Sequence, residues 1–202
     1  LYIMKIYILR HEDRTQDATF FAPLTKKGLE NAVKLINTLR DENIDIIYSS
    51  PFIRTLQTVY PFAKNRSKTI NLEYALAEIQ HPHLIPEKSY QVSLPTYIAE
   101  SFNYNSKYTS TMEPENHIYP EDEKNVTVRV KKLLNKIVNE NVTSRRNILL
   151  VSHQAVCNAM LKIATKDMTD VNIEYTYNYP RGGLTRIFNE TEWDFKPINW
   201  KE

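Results

Sequence analysis

The sequence predicts an α/β fold, a three-layer α/β/α sandwich built on a mainly parallel central sheet. Two observations carry this. Short apolar, β-branched runs alternate along the chain with stretches of helical periodicity, the order that builds a parallel sheet with helices on both faces. The runs are apolar throughout, as in strands buried from both sides. The chain has 202 residues, 42% of them hydrophobic, which is enough for one buried core. Residues 1–202 are therefore expected to form one domain.

The elements follow in order. Residues 3–9 read as the first strand, and polar residues follow from His11 to Thr19. Pro23-Leu24-Thr25 opens a helix, with Thr25 as N-cap and Leu29, Ala32, Val33, Ile36 and Leu39 at helical spacing. Residues 44–48 make a second buried strand that ends at Ser49-Ser50-Pro51. The next helix, over 52–63, places Ile53, Leu56, Val59 and Tyr60 on one face, and residues 69–72 make a short third strand.

Residues 80–121 hold five of the ten prolines and little periodicity. A stretch that long without pattern reads as an inserted, lid-like segment. Helical pattern returns over 122–138, with Val126, Val130, Leu133, Leu134 and Ile137 aligned. A fourth strand spans 147–151 and a helix 154–164. Two later strands, 173–178 and 184–189, flank Arg181-Gly182-Gly183. Trp193 and Trp200 are expected to pin the tail to the body.

Composition excludes several classes of function. The chain carries 26 Lys+Arg against 24 Asp+Glu, a formal charge of +2, so there is no bulk attraction to nucleic acid or to an acidic membrane. No apolar run is long enough to span a bilayer. One cysteine forms no internal disulfide and points to a reducing, cytoplasmic setting. The three glycines, at 28, 182 and 183, allow neither G-x-G-x-x-G nor a P-loop. Any phosphate must be handled by side chains.

Such side chains recur where an α/β fold binds ligands, beyond the carboxyl ends of the strands. The first strand runs into Arg10-His11, the second leads through Ser49-Ser50 to Arg54, and the fourth runs into Ser152-His153. Two guanidiniums can fork onto phosphate oxygens. One imidazole can attack phosphorus while the other donates a hydrogen bond.

In these stretches the chain resembles the histidine phosphatase superfamily, also called the phosphoglycerate mutase-like family. The matching strings are Ile8-Leu9-Arg10-His11, Leu24-Thr25-x-x-Gly28, Tyr48-Ser49-Ser50-Pro51-x-x-Arg54-Thr55-x-x-Thr58, Leu76-Ala77-Glu78, Val151-Ser152-His153 and Gly183-Leu184-Thr185-Arg186-Ile187. The resemblance implies a phosphatase acting on phosphomonoesters through a phosphohistidine on His11. It assigns the phosphate to Arg10, Arg54 and His153, and makes Glu78 the general acid and base. Substrates would be phosphorylated small molecules or phosphopeptides, with no metal and no organic cofactor. His11 must attack as the neutral imidazole, so its other nitrogen should donate to a backbone carbonyl. A phosphomutase, or a catalytically weak phosphate-binding module, is the alternative.

One departure stands out. The family has a small residue after the nucleophilic histidine, and this chain has Glu12, followed by Asp13. Both are expected to point away from the pocket and to pair with Arg14. The family's helix-opening Glu-Ser before Arg129 is not cleanly present, and Glu121 or Glu123 could stand in. His81-Pro82-His83 reads as exposed loop histidines, since a metal pair would need a third ligand. His117 reads as solvated and Cys157 as a buried small hydrophobe. Lys131-Lys132 and Arg145-Arg146 read as solvated faces. Tyr90, Tyr97, Tyr104, Tyr108 and Tyr119 either line the substrate pocket or pack over the sheet.

Overall fold

A computed structural model describes residues 4–91, 93–141, 143–164, 178–189 and 193–198. Its elements are β1 (Met4–Arg10), α1 (Lys26–Thr38), β2 (Ile46–Ser49), α2 (Ile53–Asn65), β3 (Ile70–Leu72), α3 (Thr96–Glu100), α4 (Glu123–Asn141), β4 (Ile148–Ser152), α5 (Gln154–Ala164), β5 (Leu184–Asn189) and β6 (Trp193–Ile198). Among the described residues the sheet has six strands in the order β3-β2-β4-β1-β5-β6. The four strands β1 to β4 pair in parallel; β5 and β6 pair antiparallel at one side.

Because side chains alternate along a strand, each strand feeds two cores. Ile6, Ile8, Tyr48, Ile148 and Leu150 face α4 and α5, packing with Val130, Leu133 and Met160. Tyr7, Leu9, Ile47, Leu149 and Val151 face α1 and α2, packing with Leu35, Leu56, Val59 and Phe62. This is the three-layer arrangement expected from apolar, two-sided strands. Thr25 caps α1 as expected, its hydroxyl accepting from the Gly28 N–H at 3.1 Å.

The region 80–121 is not structureless. It contains α3 and two short 3-10 turns, Glu87–Ser89 and Pro114–Asn116. Ile70 N–H donates to Asn103 O at 3.2 Å and Asn105 N–H to Ile70 O at 2.8 Å. The segment thus occupies the free edge of β3, which would otherwise expose unpaired backbone. Glu73, fully buried, anchors it by accepting from Tyr108 Oη, Ser110 Oγ and Thr111 N–H.

The tyrosines of this region divide. Tyr108 packs edge-on to Tyr48 and Tyr90 lies tilted against Tyr119, while Tyr97 is 74% exposed. His117 is a correction: it is buried, not solvated, and lies close enough to Arg129 to feel its charge. Burial first, and then Arg129, pushes it down to about 4. Cys157 is fully buried, as expected. Strand β6 was not foreseen. The strand expected over 173–178 falls almost wholly outside the described residues, as does Trp200.

Candidate active site

Three backbone bonds bring the strand ends together. His11 N–H donates to Ser152 O at 3.0 Å, Ser50 N–H to Val151 O at 3.0 Å, and Glu73 N–H to Ser49 O at 2.9 Å. They place His11, Ser50 and His153 on one edge of the sheet, and the chain that continues from Glu73 carries Glu78 to the same point. Ser152 Oγ donates to Leu76 O at 2.6 Å and ties that chain to β4.

The string Ser-Ser-Pro-x-x-Arg-Thr-x-x-Thr is a packing device as much as a ligand site. Thr55 Oγ1 donates to Ser50 O at 2.9 Å and closes the turn into α2. Thr58 Oγ1 accepts from the Glu12 N–H at 3.0 Å and fixes the loop behind His11. Gly28 serves the same loop from α1, since a Cβ there would stand 2.1 Å from Asp13 O. Gly182, at φ 66°, donates its N–H to His11 O at 2.9 Å.

His11 is 1% exposed, and its Nδ1 lies 2.7 Å from Glu12 O. A carbonyl only accepts, so Nδ1 carries the hydrogen and Nε2 keeps its lone pair. Burial first, then the facing His153, Arg54 and Arg10, hold His11 well below the usual imidazole range. It is neutral at pH 7.

His153 is fully buried and packs edge-on to Phe52 and His11, with centroids at 4.8 and 5.4 Å. Its Nε2 lies 2.8 Å from Ser50 Oγ, and its Nδ1 faces Glu78 Oε2 at 3.4 Å. Burial pushes it down to about 4, against the pull of Glu78.

Arg54 is fully buried, stacks on Phe52, donates to Thr19 O at 2.8 Å and reaches Glu78 Oε2 at 3.4 Å. Burial, opposed by Glu78, pushes it down to about 10, so it stays charged. Arg10 donates to Tyr179 O at 2.5 Å. Burial alone would raise Glu78, but His153, Arg54 and His11 overrule it and hold the carboxyl well below its usual range.

Among the described residues, Arg10 Nε, Arg14 Nε and Arg54 Nε are buried without a hydrogen-bond partner, and His153 Nδ1 has only its long 3.4 Å approach to Glu78. Buried donors are nearly always paired, so the open ones of Arg10, Arg54 and His153, the groups whose charge reaches His11, suit an anion. The ligand atoms of His11, Glu78 and His153 lie within 4.8 Å of one another, and among the described residues this is the one group with metal-binding geometry. The guanidiniums beside it repel a cation and favour an anion. His81 and His83 stack on each other outside any such group.

Glu12 is fully buried, and its Oε2 accepts from Asn31 Nδ2 of α1 at 3.3 Å. Asp13 corrects the expected pairing with Arg14. It binds Arg181 at 2.6 Å and Thr25 Oγ1 at 2.8 Å. Arg14 is thereby left to donate to the carbonyls of Thr15, Gln16 and Asp17. Ser50, Tyr179 and Arg181 were missed as site residues. Only Ser50 carried a signal, through its place in the Ser-Ser-Pro string.

The chain belongs to the histidine phosphatase superfamily (branch 1), whose family model matches residues 7–199. It is 24% identical over 199 residues to a 2,3-bisphosphoglycerate-dependent phosphoglycerate mutase from Methanosarcina mazei, covering 81% of this chain and 83% of that one. Among solved structures, it resembles the ecdysone phosphate phosphatase from Bombix mori in complex with tungstate. That match has a TM-score of 0.73 at 18% identity and covers 96% of this chain and 92% of that one. A phosphoserine phosphatase variant from Entamoeba histolytica in complex with phosphoserine matches with a TM-score of 0.65 at 18% identity, covering 98% of both chains.

Proposed function

We propose that this chain hydrolyses phosphomonoesters through a phosphohistidine on His11. The observation that carries the reading is the locked tautomer. Nδ1 is spent on Glu12 O, and the Nε2 lone pair stands among open cationic and imidazole donors.

In this mechanism Arg10 and Arg54 hold the phosphate and His153 donates from Nδ1. His11 Nε2 forms a bond to phosphorus as the ester P–O bond breaks. The leaving oxygen takes a proton from Glu78, and the alcohol departs. Water then attacks phosphorus, gives a proton to the Glu78 carboxylate, and the N–P bond breaks to release phosphate.

Glu78 is ionised before a phosphate arrives. An incoming phosphate adds negative charge beside it and draws Arg54 and His153 onto its own oxygens, and both effects raise the carboxyl toward the acid form. Glu12 is engaged by Asn31 on α1, which supports a competent site over a crippled one. The segment 80–121, within one domain, is our candidate for selecting the substrate.

The test is hydrolysis of a chromogenic phosphate ester, inhibited by vanadate. His11→Ala should abolish it, and equal activity would sink the mechanism. The mutase relative gives a second reading. Isotopic phosphate exchange between phosphoglycerates, faster than release of phosphate, would favour it.

A further inference from the structure

We propose that the buried ion pair of Arg129 and Glu121 is a positioning clamp that holds the backbone on both sides of Glu78 and so aims its carboxyl at the leaving oxygen. The proposal rests on the reading of Glu78 as the acid.

Glu78 lies beyond the 3-10 turn Tyr74–Leu76, in a stretch with no regular secondary structure. Locally only the Ile79 N–H holds its carboxyl, donating to Oε1 at 3.0 Å, and the backbone on either side still has to be fixed. The fixing comes from elsewhere. Arg129 on α4 donates through Nη1 to Ala75 O at 2.5 Å and through Nη2 to Ala77 O at 2.8 Å. Its Nε and Nη2 grip Glu121 at 2.7 and 3.0 Å. Glu121 in turn accepts from the Gln80 N–H at 2.9 Å, and its own N–H donates to Gln80 O at 2.8 Å. Gln80 Nε2 closes the loop on Glu78 O at 2.7 Å. The carbonyls of residues 75, 77, 78 and 80 are thus all held, and Glu78 sits in the middle.

The chemistry suits a clamp. A guanidinium is planar and presents several N–H groups in fixed directions, so it can satisfy two carbonyls and a carboxylate together, which an ammonium cannot. The pair is almost completely buried, with side chains 6% and 2% exposed. A displacement of about 1 Å in a reacting group can cost roughly a hundredfold in rate. Glu121 also lies at the end of the 80–121 segment, so the segment that covers the β3 edge returns to the body through the group that holds the acid.

The test uses leaving groups. An acidic phenol leaves with little help, whereas an alcohol needs the proton. kcat/KM is measured on 4-nitrophenyl phosphate and on a primary alkyl phosphate for wild type, Glu78→Gln, Glu121→Gln and Arg129→Lys, with thermal melting of each. Glu78→Gln should lose the alkyl ester at least roughly tenfold more than the aryl ester. Both clamp variants should shift the ratio in the same direction. A general loss of structure would lower both esters together. Gln80→Met removes one hydrogen bond and no charge, and it carries the test where a charge variant fails to fold. An unchanged ratio in the folded variants, beside a clear split in Glu78→Gln, overturns the clamp and leaves the mechanism standing. No split in Glu78→Gln overturns the acid assignment, and the clamp with it.

Discussion

Arg54 and Arg129 are both buried arginines a short distance from Glu78, and they are treated in opposite ways. Arg129 is saturated by two backbone carbonyls and both oxygens of Glu121. Arg54 has one carbonyl, a long 3.4 Å contact to Glu78, and an Nε with no partner. Burying a charge is costly unless the protein repays it in hydrogen bonds. At Arg129 the repayment is complete, and the residue holds structure. At Arg54 it is withheld, and the remaining donors are available to a ligand. The proposed function assigns the incomplete partner set of Arg54 to the phosphate.

The same substitution at the two positions should separate these roles. Arg54→Met should lower kcat/KM roughly 10²–10³-fold on aryl and alkyl esters alike, as for loss of a transition-state donor. Its folding stability should fall by less than that of Arg129→Met, since its contact to Glu78 is long, at 3.4 Å, and His153 still faces that carboxyl. Arg129→Met should lose about 3–5 kcal/mol of stability by orphaning Glu121. Steady-state kinetics and urea unfolding on both variants check this; a reversed pattern would break the comparison.

Acid sharpens it further. His11, His117 and His153 all titrate below the ordinary imidazole value when folded. The unfolded chain therefore binds protons first as pH falls. Their stabilisation is complete above about pH 6.5 and is lost progressively as pH drops toward 4. Glu78, also depressed, adds a loss that begins near pH 4.5 in the same direction. The urea midpoint should fall steadily from pH 7 to pH 4.5, and a flat midpoint contradicts neutral buried histidines. Arg54→Met should flatten the slope, because one of the charges that holds His11 and His153 down is gone.

The smallest effect is expected at Ser50. Its hydroxyl fixes His153 through Nε2, so Ser50→Ala should cost about 1 kcal/mol, roughly fivefold in kcat/KM. The ¹⁵N signals of His153 should report a mixture of tautomers. Unchanged signals would remove Ser50 from the positioning role.

Most of the sheet and its helices were legible because periodicity and capping are local. The helix over 26–38 follows from Thr25 and the helical spacing, although Leu29 and Val33, aligned with Ala32 in the sequence, are exposed and it is Leu35 that is buried beside Ala32. His11, Arg54 and His153 were legible because each lies at or just beyond a strand end, where an α/β fold converges. What was hidden depends on long-range pairing. Asp13 meets Arg181 across 168 positions, and nothing near either residue announces the other. His117 sits in a polar stretch and is buried only because the 80–121 segment folds back toward Arg129. Glu121 was named as a substitute for a missing motif residue, but its grip on Gln80 needed the tertiary structure.

The central claim is that the phosphoryl group passes through His11 Nε2. Wild-type protein mixed with a ³²P-labelled phosphate ester and quenched in base, where phosphohistidine survives, should carry label on the peptide containing His11. The label should be absent in His11→Ala and should disappear when unlabelled substrate is added before the quench. Turnover without label on that peptide, or label that persists in His11→Ala, would contradict the account.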